Sequence, residues 1–261
     1  MSVTTDDMHT AELAVLKDLF SDKISAQNAA ESLASIQLSS TDLESNVSSL
    51  WSFIIKCAYE FPDHQPQLVD SLVQLSKLPD AKAPNGDPIR LYDMCVWKDL
   101  PMLGWQFREE WNLSIPTEPT DRRVSAIAQM INRDKLAALL MATQEPVFDY
   151  SWFALVTLRE ALEDGGSQKV GPLNGLIPAA AIWIELLGVE MYGWDQNFGR
   201  KGKGGTLWEG KEGFCVERWH LWRERFGEMA EMEGLDDSAR RAAGEAEQMM
   251  RKIESQSQSQ Y

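Results

Sequence analysis

The residues best placed for chemistry are few, and each competes with a plainer role. Gly205-Thr-Leu-Trp-Glu-Gly210-Lys211-Glu212 has the GxxxxGK spacing of a phosphate loop. In such a loop the backbone cradles phosphates, the lysine reaches the outer ones, and a following Ser or Thr holds magnesium. Here Glu212 stands in that last place, its carboxylate would face triphosphate charge, and no apolar strand precedes the loop. Nucleotide binding is not expected. His9, His64 and His220 are scattered, and none has a His or Cys at ligand spacing, so neither a metal nor another cofactor is expected. His220, beside Trp219 and Trp222 and near Glu217, reads as a partly buried structural histidine. The chain has no Gly-x-Ser-x-Gly, no His-Glu-x-x-His and no Cys within a catalytic motif. A nucleophile assembled from distant residues stays open at this level.

The strongest site candidate is a pair of opposite charges on apolar helices. Arg159 lies on the stripe Trp152, Leu155, Arg159, Leu162, and Glu185 lies in the most apolar segment of the chain. Charges in adjacent apolar helices are most cheaply satisfied by each other, so Arg159 and Glu185 are expected to pair. Arg108, and Glu217 or Arg218, are candidates to join them, with Trp183, Trp219 and Trp222 nearby. This set is either a Trp-walled pocket for a small molecule or a buried ion-pair network, and the network is preferred because structural networks also perturb charges. The 10 Trp fall at helical spacing among Leu, Ile and Phe, which reads as core rather than as a stacking surface. Arg200-Lys201-Gly202-Lys203 reads as a solvated loop rather than an anion contact.

These side chains must be positioned by helices. Ile177–Tyr192 is apolar on nearly every side, with Glu185 the single charge up to Val189, so it reads as a central helix surrounded by others. Its apolar run of thirteen residues, 177–189, is too short to cross a bilayer, and Pro178 suits a first helical turn. Ala181, Glu185, Gly188 and Tyr192 share one face that a neighbouring backbone can approach. Before it, helices are expected at Met8–Phe20 (capped by Asp6 or Asp7), Ser25–Ile36, Asp42–Phe61 and Pro66–Leu78. Further helices are expected at Leu91–Trp97, at Leu100–Trp111 behind an Asp99 cap, from Asp121 to about Ala142, and at Tyr150–Leu162 before Gly165-Gly166. Gly171–Gly175 reads as a turn and the Gly-rich stretch Gly193–Glu212 as a mobile loop. Gly213–Met232 forms a helix, and Asp237–Glu254 carries a heptad seam of Leu235, Ala239, Ala242, Ala246, Met249 and Ile253. That seam is too short to hold a helix pair alone and is expected to pack on its own domain rather than self-associate through 235–253.

Composition sets the outer limits. Lys and Arg total 25 against 40 Asp and Glu, a net charge of −15, which repels phosphate backbones and argues against nucleic acid. No stretch reaches 18 apolar residues and the N-terminus has no signal-peptide pattern, so no membrane span or export is expected. Cys57, Cys95 and Cys215 are odd in number and far apart, which suits free thiols and a cytoplasmic, or nuclear, setting.

A set of short Trp-centred motifs runs along the chain. Its pieces are Leu50-Trp51, Val96-Trp97-Lys98-Asp99-Leu100-Pro101, Arg108, Trp152 with Leu158-Arg159-Glu160-Ala161-Leu162, and Ala180-Ala181 with Trp183-Ile184. Gly213-Phe214, Glu217-Arg218-Trp219, Trp222 and Arg225-Phe226 complete the set, which spans about 45–227. In its order and spacing this set resembles a fungal family catalogued only as a domain of unknown function, which implies a helical, intracellular fungal protein and carries no activity.

The expected fold is all-α, nine or ten helices around 177–192 in a single domain over 1–255, with 235–254 as its terminal heptad helix and a disordered tail at 256–261. The expected function is a non-enzymatic module that binds another protein. The alternative is a small-molecule-binding protein or enzyme using the Arg and Glu groups within the bundle.

Overall fold

The computed structural model describes residues 9–83, 85–112, 115–164 and 170–258. The protein is all-α: among the described residues ten α-helices run in chain order, with one hairpin of two-residue strands between the fourth and the fifth. The chain gathers into two compact units, Met1–Asn112 with Glu145–Phe148, and Leu113–Gln144 with Asp149–Tyr261.

The first unit contains α1 (Thr10–Phe20), α2 (Ala26–Leu38), α3 (Leu43–Glu60), α4 (Gln65–Ser76) and α5 (Leu103–Glu110). Asp6 and Asp7, the expected caps of α1, lie outside the described residues. Ser25 caps α2 by accepting from the Asn28 N–H at 3.2 Å, and Asp42 caps α3 by accepting from the Ser45 N–H at 3.1 Å. The stripe Val47, Leu50, Trp51, Ile54 and Ala58 on α3 is buried as its spacing predicts. Trp51 satisfies its indole N–H by donating to the Pro101 carbonyl at 2.8 Å.

Residues 91–97 are not helical. β1 (Arg90–Leu91) and β2 (Met94–Cys95) form an antiparallel hairpin turned by Tyr92 and Asp93, with φ of 54° and 62°. Both central residues of such a turn need positive φ, which Asn and Gly tolerate and a tyrosine does not favour. Asp99 does not cap a helix from Leu100; its carboxylate accepts from the Cys95 N–H at 2.7 Å and closes the hairpin. Leu100 and Met102 take left-handed φ of 43° and 70° around Pro101, and α5 begins only at Leu103.

The second unit contains α6 (Asp121–Ala142), α7 (Ser151–Leu162), α8 (Val170–Tyr192), α9 (Val216–Ala230) and α10 (Asp237–Gln258). α8 is its centre and packs against the other four. It begins well before Ile177, so Gly171–Gly175 is helical and Pro178 lies inside the helix, where it removes the bond to the Asn174 carbonyl. Gly175 is needed for close approach instead of a turn: a Cβ there would lie 2.6 Å from Ile115 Cδ1 and 3.2 Å from Ile127 Cγ1, on the α6 side.

The 23 residues of α8 span about 34 Å. With a mean hydropathy of 1.5 over 18 residues, the helix is long and apolar enough to cross a membrane, so the expectation drawn from thirteen residues fails. Its surroundings account for its apolarity: Ile177, Ala179, Ala180, Trp183 and Ile184 are wholly buried in the core of the unit.

α10 packs on α8 and α9 of its own unit, as expected. Its buried stripe is Ala239, Ala243, Ala246, Met250 and Ile253, so Ala243 and Met250 take the inward places expected of Ala242 and Met249. The helix runs on through Gln258, past the expected start of the tail at Gln256, and 259–261 lie outside the described residues, as does Gly165-Gly166.

All three cysteines are free thiols. Burial, with the Glu60 carboxylate adding to it, pushes the Cys57 thiol up to about 12. At pH 8 a thiol reagent should leave Cys57 unmodified in the folded protein and find three thiols after denaturation. Modification of native Cys57 at the denatured rate would contradict this packing.

Candidate functional site

The expected pair of Arg159 and Glu185 does not form. Glu185 is exposed. Arg159 is half-buried and donates to the backbone carbonyls of Lys201 and Lys203 at 3.4 and 3.3 Å. Arg108 and Glu217 are exposed, and His220 is exposed 3.8 Å from Glu254 rather than partly buried. Of the charged candidates only Arg218 is buried; Trp183, Trp219 and Trp222 are buried with it in the second unit.

The partner of Arg218 is Glu163, at the end of α7. Both side chains are fully enclosed, with Arg218 Nε 2.6 Å from Glu163 Oε1 and Nη2 2.9 Å from Oε2. The Trp222 indole donates to Oε1 at 2.7 Å and the Gly205 N–H to Oε2 at 2.8 Å. Arg218 Nη1 donates to the carbonyls of Gly202 and Gly213 at 3.0 and 2.9 Å, and its guanidinium carbon lies 5.5 Å from the Trp222 ring and 5.7 Å from Trp208.

A second buried carboxylate, Asp134, joins three helices. Its Oδ1 accepts from Thr157 Oγ1 of α7 at 2.6 Å and from the Trp183 indole of α8 at 2.7 Å. Its Oδ2 accepts from Arg133 Nη2 at 2.7 Å, on its own helix α6. Neither carboxylate was legible as a site. Asp134 sits in the polar run Asn132-Arg133-Asp134-Lys135, which looks like a solvated interruption, and Glu163 sits at a helix end before Asp164 and two glycines. Each is filled by donors on every side, so both read as structural hubs.

The Gly-rich loop is pinned rather than loose. Phe198 N–H donates to the Glu212 carbonyl at 2.8 Å, Leu207 N–H to the Glu163 carbonyl at 2.9 Å, and Asn197 pairs with Gly213. A Cβ on Gly202 would lie 2.3 Å from the Glu212 carbonyl oxygen, and one on Gly213 would lie 2.0 Å from that of Gln196. Close packing therefore explains these glycines. Within the GxxxxGK stretch, Gly205 N–H is already given to a carboxylate, Lys211 pairs with Asp195, and α9 starts only at Val216.

One arrangement has the order of a hydrolytic triad. His9 Nε2 lies 2.8 Å from Ser49 Oγ, and His9 Nδ1 lies 3.7 Å from Glu12 Oε1. Ser49 is inside α3, where neighbouring N–H groups are used by the helix and none is free to hold an oxyanion. Glu12 is committed to Gln37 at 2.9 Å, and the His9 ring stacks on Phe53. The cluster ties α1 and α2 to α3.

Among the described residues both units carry open concavities. Between α8 and α10 a groove of about 410 Å³ is lined by Pro178, Ala181, Ile182, Ala242, Ala246 and Met249, with Glu185 and Glu245 beside them. In the first unit a cavity of about 770 Å³ is lined by the α3 serines 45, 48, 49 and 52, by Asp42 and Glu44, and by Tyr92, Met102 and Trp105. Among the described residues no three His, Cys, Asp or Glu side chains are grouped to hold a metal.

A family model described as "Protein of unknown function (DUF3632)" matches residues 51–226. No curated protein matches the chain. The matched span contains Asp134, Glu163 and Arg218 and leaves out α1, α2 and α10.

Removing Glu163 leaves Arg218 unpaired in a closed site, which costs about 3–5 kcal/mol. Here the usual double replacement should not restore stability. In Glu163→Leu/Arg218→Met, the Gly205 N–H, the Trp222 indole and the Gly202 and Gly213 carbonyls all lose partners, at roughly 1–3 kcal/mol each where water cannot enter. Chemical denaturation should show both Glu163→Ala and the double variant strongly destabilised; a double variant as stable as wild type would show that the hub is dispensable.

Proposed function

The chain belongs to the DUF3632 family, whose description carries no activity, and from the geometry we propose that it is a non-enzymatic module that binds another protein. The partner element is a basic amphipathic helix, seated in the groove between α8 and α10. The observation that carries the reading is the character of this groove. Its floor is of small side chains, Ala181, Ala242 and Ala246, with Ile182 and Met249 as apolar walls and the exposed carboxylates Glu185 and Glu245 beside them. A helix presenting large aliphatic residues at i, i+3 or i+4 and i+7 fills such a floor, and flanking Lys or Arg meet the carboxylates. A second copy of this chain suits the groove poorly, because its own groove brings two more carboxylates and its surface carries a net charge of −15.

The buried charges support this reading over a Trp-walled pocket. Trp183, Trp219 and Trp222 donate to Asp134, Glu254 and Glu163, and none of them lines either concavity. Three free thiols suit an intracellular setting, and the Trp-centred motifs suggest a fungal source.

An 18-residue Leu/Lys amphipathic peptide serves as the probe and a Leu/Glu peptide of the same pattern as its control. The Leu/Lys peptide should bind the wild-type protein with an affinity that falls as salt rises. Glu185→Lys/Glu245→Lys should weaken it at least tenfold, and Ala242→Trp, which fills the groove without changing charge, should weaken it as much. All three substitutions fall outside the buried core, so the melting temperature should stay within a few degrees of wild type. Glu185→Ala should likewise fold normally. Retained binding by Ala242→Trp would reduce the interaction to unspecific charge attraction and overturn the groove.

A further inference from the structure

The cavity of the first unit differs from the groove in chemistry and in helices. Its lining combines two carboxylates, Asp42 and Glu44, a row of hydroxyls, and two large aromatic side chains, with no lysine or arginine. The aromatics are unusually open: Trp105 is 53% exposed and Tyr92 52%. Their ring centroids are 4.7 Å apart with the planes at 70°, an edge-to-face contact in which the two rings bound a corner. The Tyr92 hydroxyl donates to Glu44, which sets the carboxylate beside that corner.

The surrounding chain holds this corner in place. Gln106 Nε2 donates to Ser48 Oγ at 2.8 Å, and Ser52 Oγ donates to Gln106 Oε1 at 2.9 Å, which locks α5 against α3 next to Trp105. The hairpin presents Tyr92 at a positive φ of 54°, a conformation a bulky residue adopts only when its surroundings hold it there. Half-exposed aromatic rings gain little from burial, and fixing them in a polar cavity has no evident packing benefit.

We propose that this cavity binds an organic ammonium cation, with its methyl groups against the faces of Trp105 and Tyr92 and its charge balanced by Glu44 and Asp42. A ring face carries negative charge density that attracts a cation, most strongly for Trp, and methylated ammonium groups give up their water easily enough to use it. The hydroxyls of Ser45, Ser48 and Ser52 suit the polar remainder of the ligand. The same trimethylammonium chemistry occurs in a free quaternary amine and in a trimethylated lysine side chain of a peptide, and the cavity recognises what they share. This proposal is independent of the α8–α10 groove.

The test is titration of the full chain, followed by the indole N–H resonances in a heteronuclear NMR spectrum, with three probes. These are choline, its neutral isostere 3,3-dimethylbutan-1-ol, and a short peptide containing trimethyllysine, with its unmethylated form as control. Choline or the trimethyllysine peptide should shift the Trp105 indole resonance, and whichever binds at least tenfold more tightly identifies the source. The neutral isostere should bind at least tenfold more weakly. Trp105→Ala, an exposed change that leaves the fold intact by its other indole shifts, should abolish binding; Glu44→Gln should weaken it several-fold and Trp105→Phe should retain part of it. Equal binding of the neutral isostere, undiminished binding by Trp105→Ala, or no response to either cation at millimolar concentration would overturn the proposal.

Discussion

A carboxylate cut off from water must find its hydrogen-bond donors within the protein, and two such groups organise the second unit. Glu163 collects the guanidinium of Arg218, the indole of Trp222 and the N–H of Gly205, while Asp134 collects Thr157, Trp183 and Arg133. The requirement is severe because an uncompensated buried charge costs several kcal/mol, a large part of a domain's net stability. The helices that supply those donors must therefore sit where they do. The α7 end, α9 and the Gly-rich loop meet at Glu163; α6, α7 and α8 meet at Asp134. Tryptophan suits this work because its ring fills core volume while its single N–H serves a polar hub.

The Gly-rich loop shows how such a hub reaches into irregular backbone. Arg218 donates to the Gly202 carbonyl within it and to the Gly213 carbonyl just after it, and Glu163 accepts from its Gly205 amide, so the loop is folded around an ion pair. Its glycines admit neighbouring backbone at distances that a Cβ would forbid. Saturated polar groups of this kind have no capacity left for a ligand, whereas the surface carries the α8–α10 groove and the Tyr92–Trp105 cavity. There the two concavities share an excess of carboxylates and lack basic lining, in keeping with an overall net charge of −15. That excess of carboxylates is what the two proposals rest on, an apolar-faced basic helix at one and a compact ammonium group at the other.

The family match joins these observations unevenly. It includes both hubs, the Tyr92 hairpin and α5, whereas α10, one wall of the α8–α10 groove, lies beyond it. The hubs thus belong to the framework of the matched region, and the groove combines that framework with a helix outside it.

Helical class, most helix positions and the core stripes were legible in the sequence alone, because 3.6-residue periodicity and capping are local signals. Val47, Leu50, Trp51 and Ile54 on α3 follow from spacing, and so do Ala239, Ala246 and Ile253 on α10, although Ala243 and Met250 stand where Ala242 and Met249 were expected. Two features failed for want of a local signal. The hairpin has strands too short for an alternating pattern and turns on Tyr92-Asp93 instead of Asn-Gly, and α8 continues through glycines and a proline because α6 packs against Gly175. The identity of the buried ions was a tertiary decision. Glu185 sits in the most apolar stretch yet faces solvent, while Asp134 and Glu163 sit in polar stretches yet are enclosed. Sequence composition measures the neighbours along a helix, whereas burial depends on which side of it another helix covers. A pair such as Glu163 and Arg218, 55 residues apart, is set by packing alone.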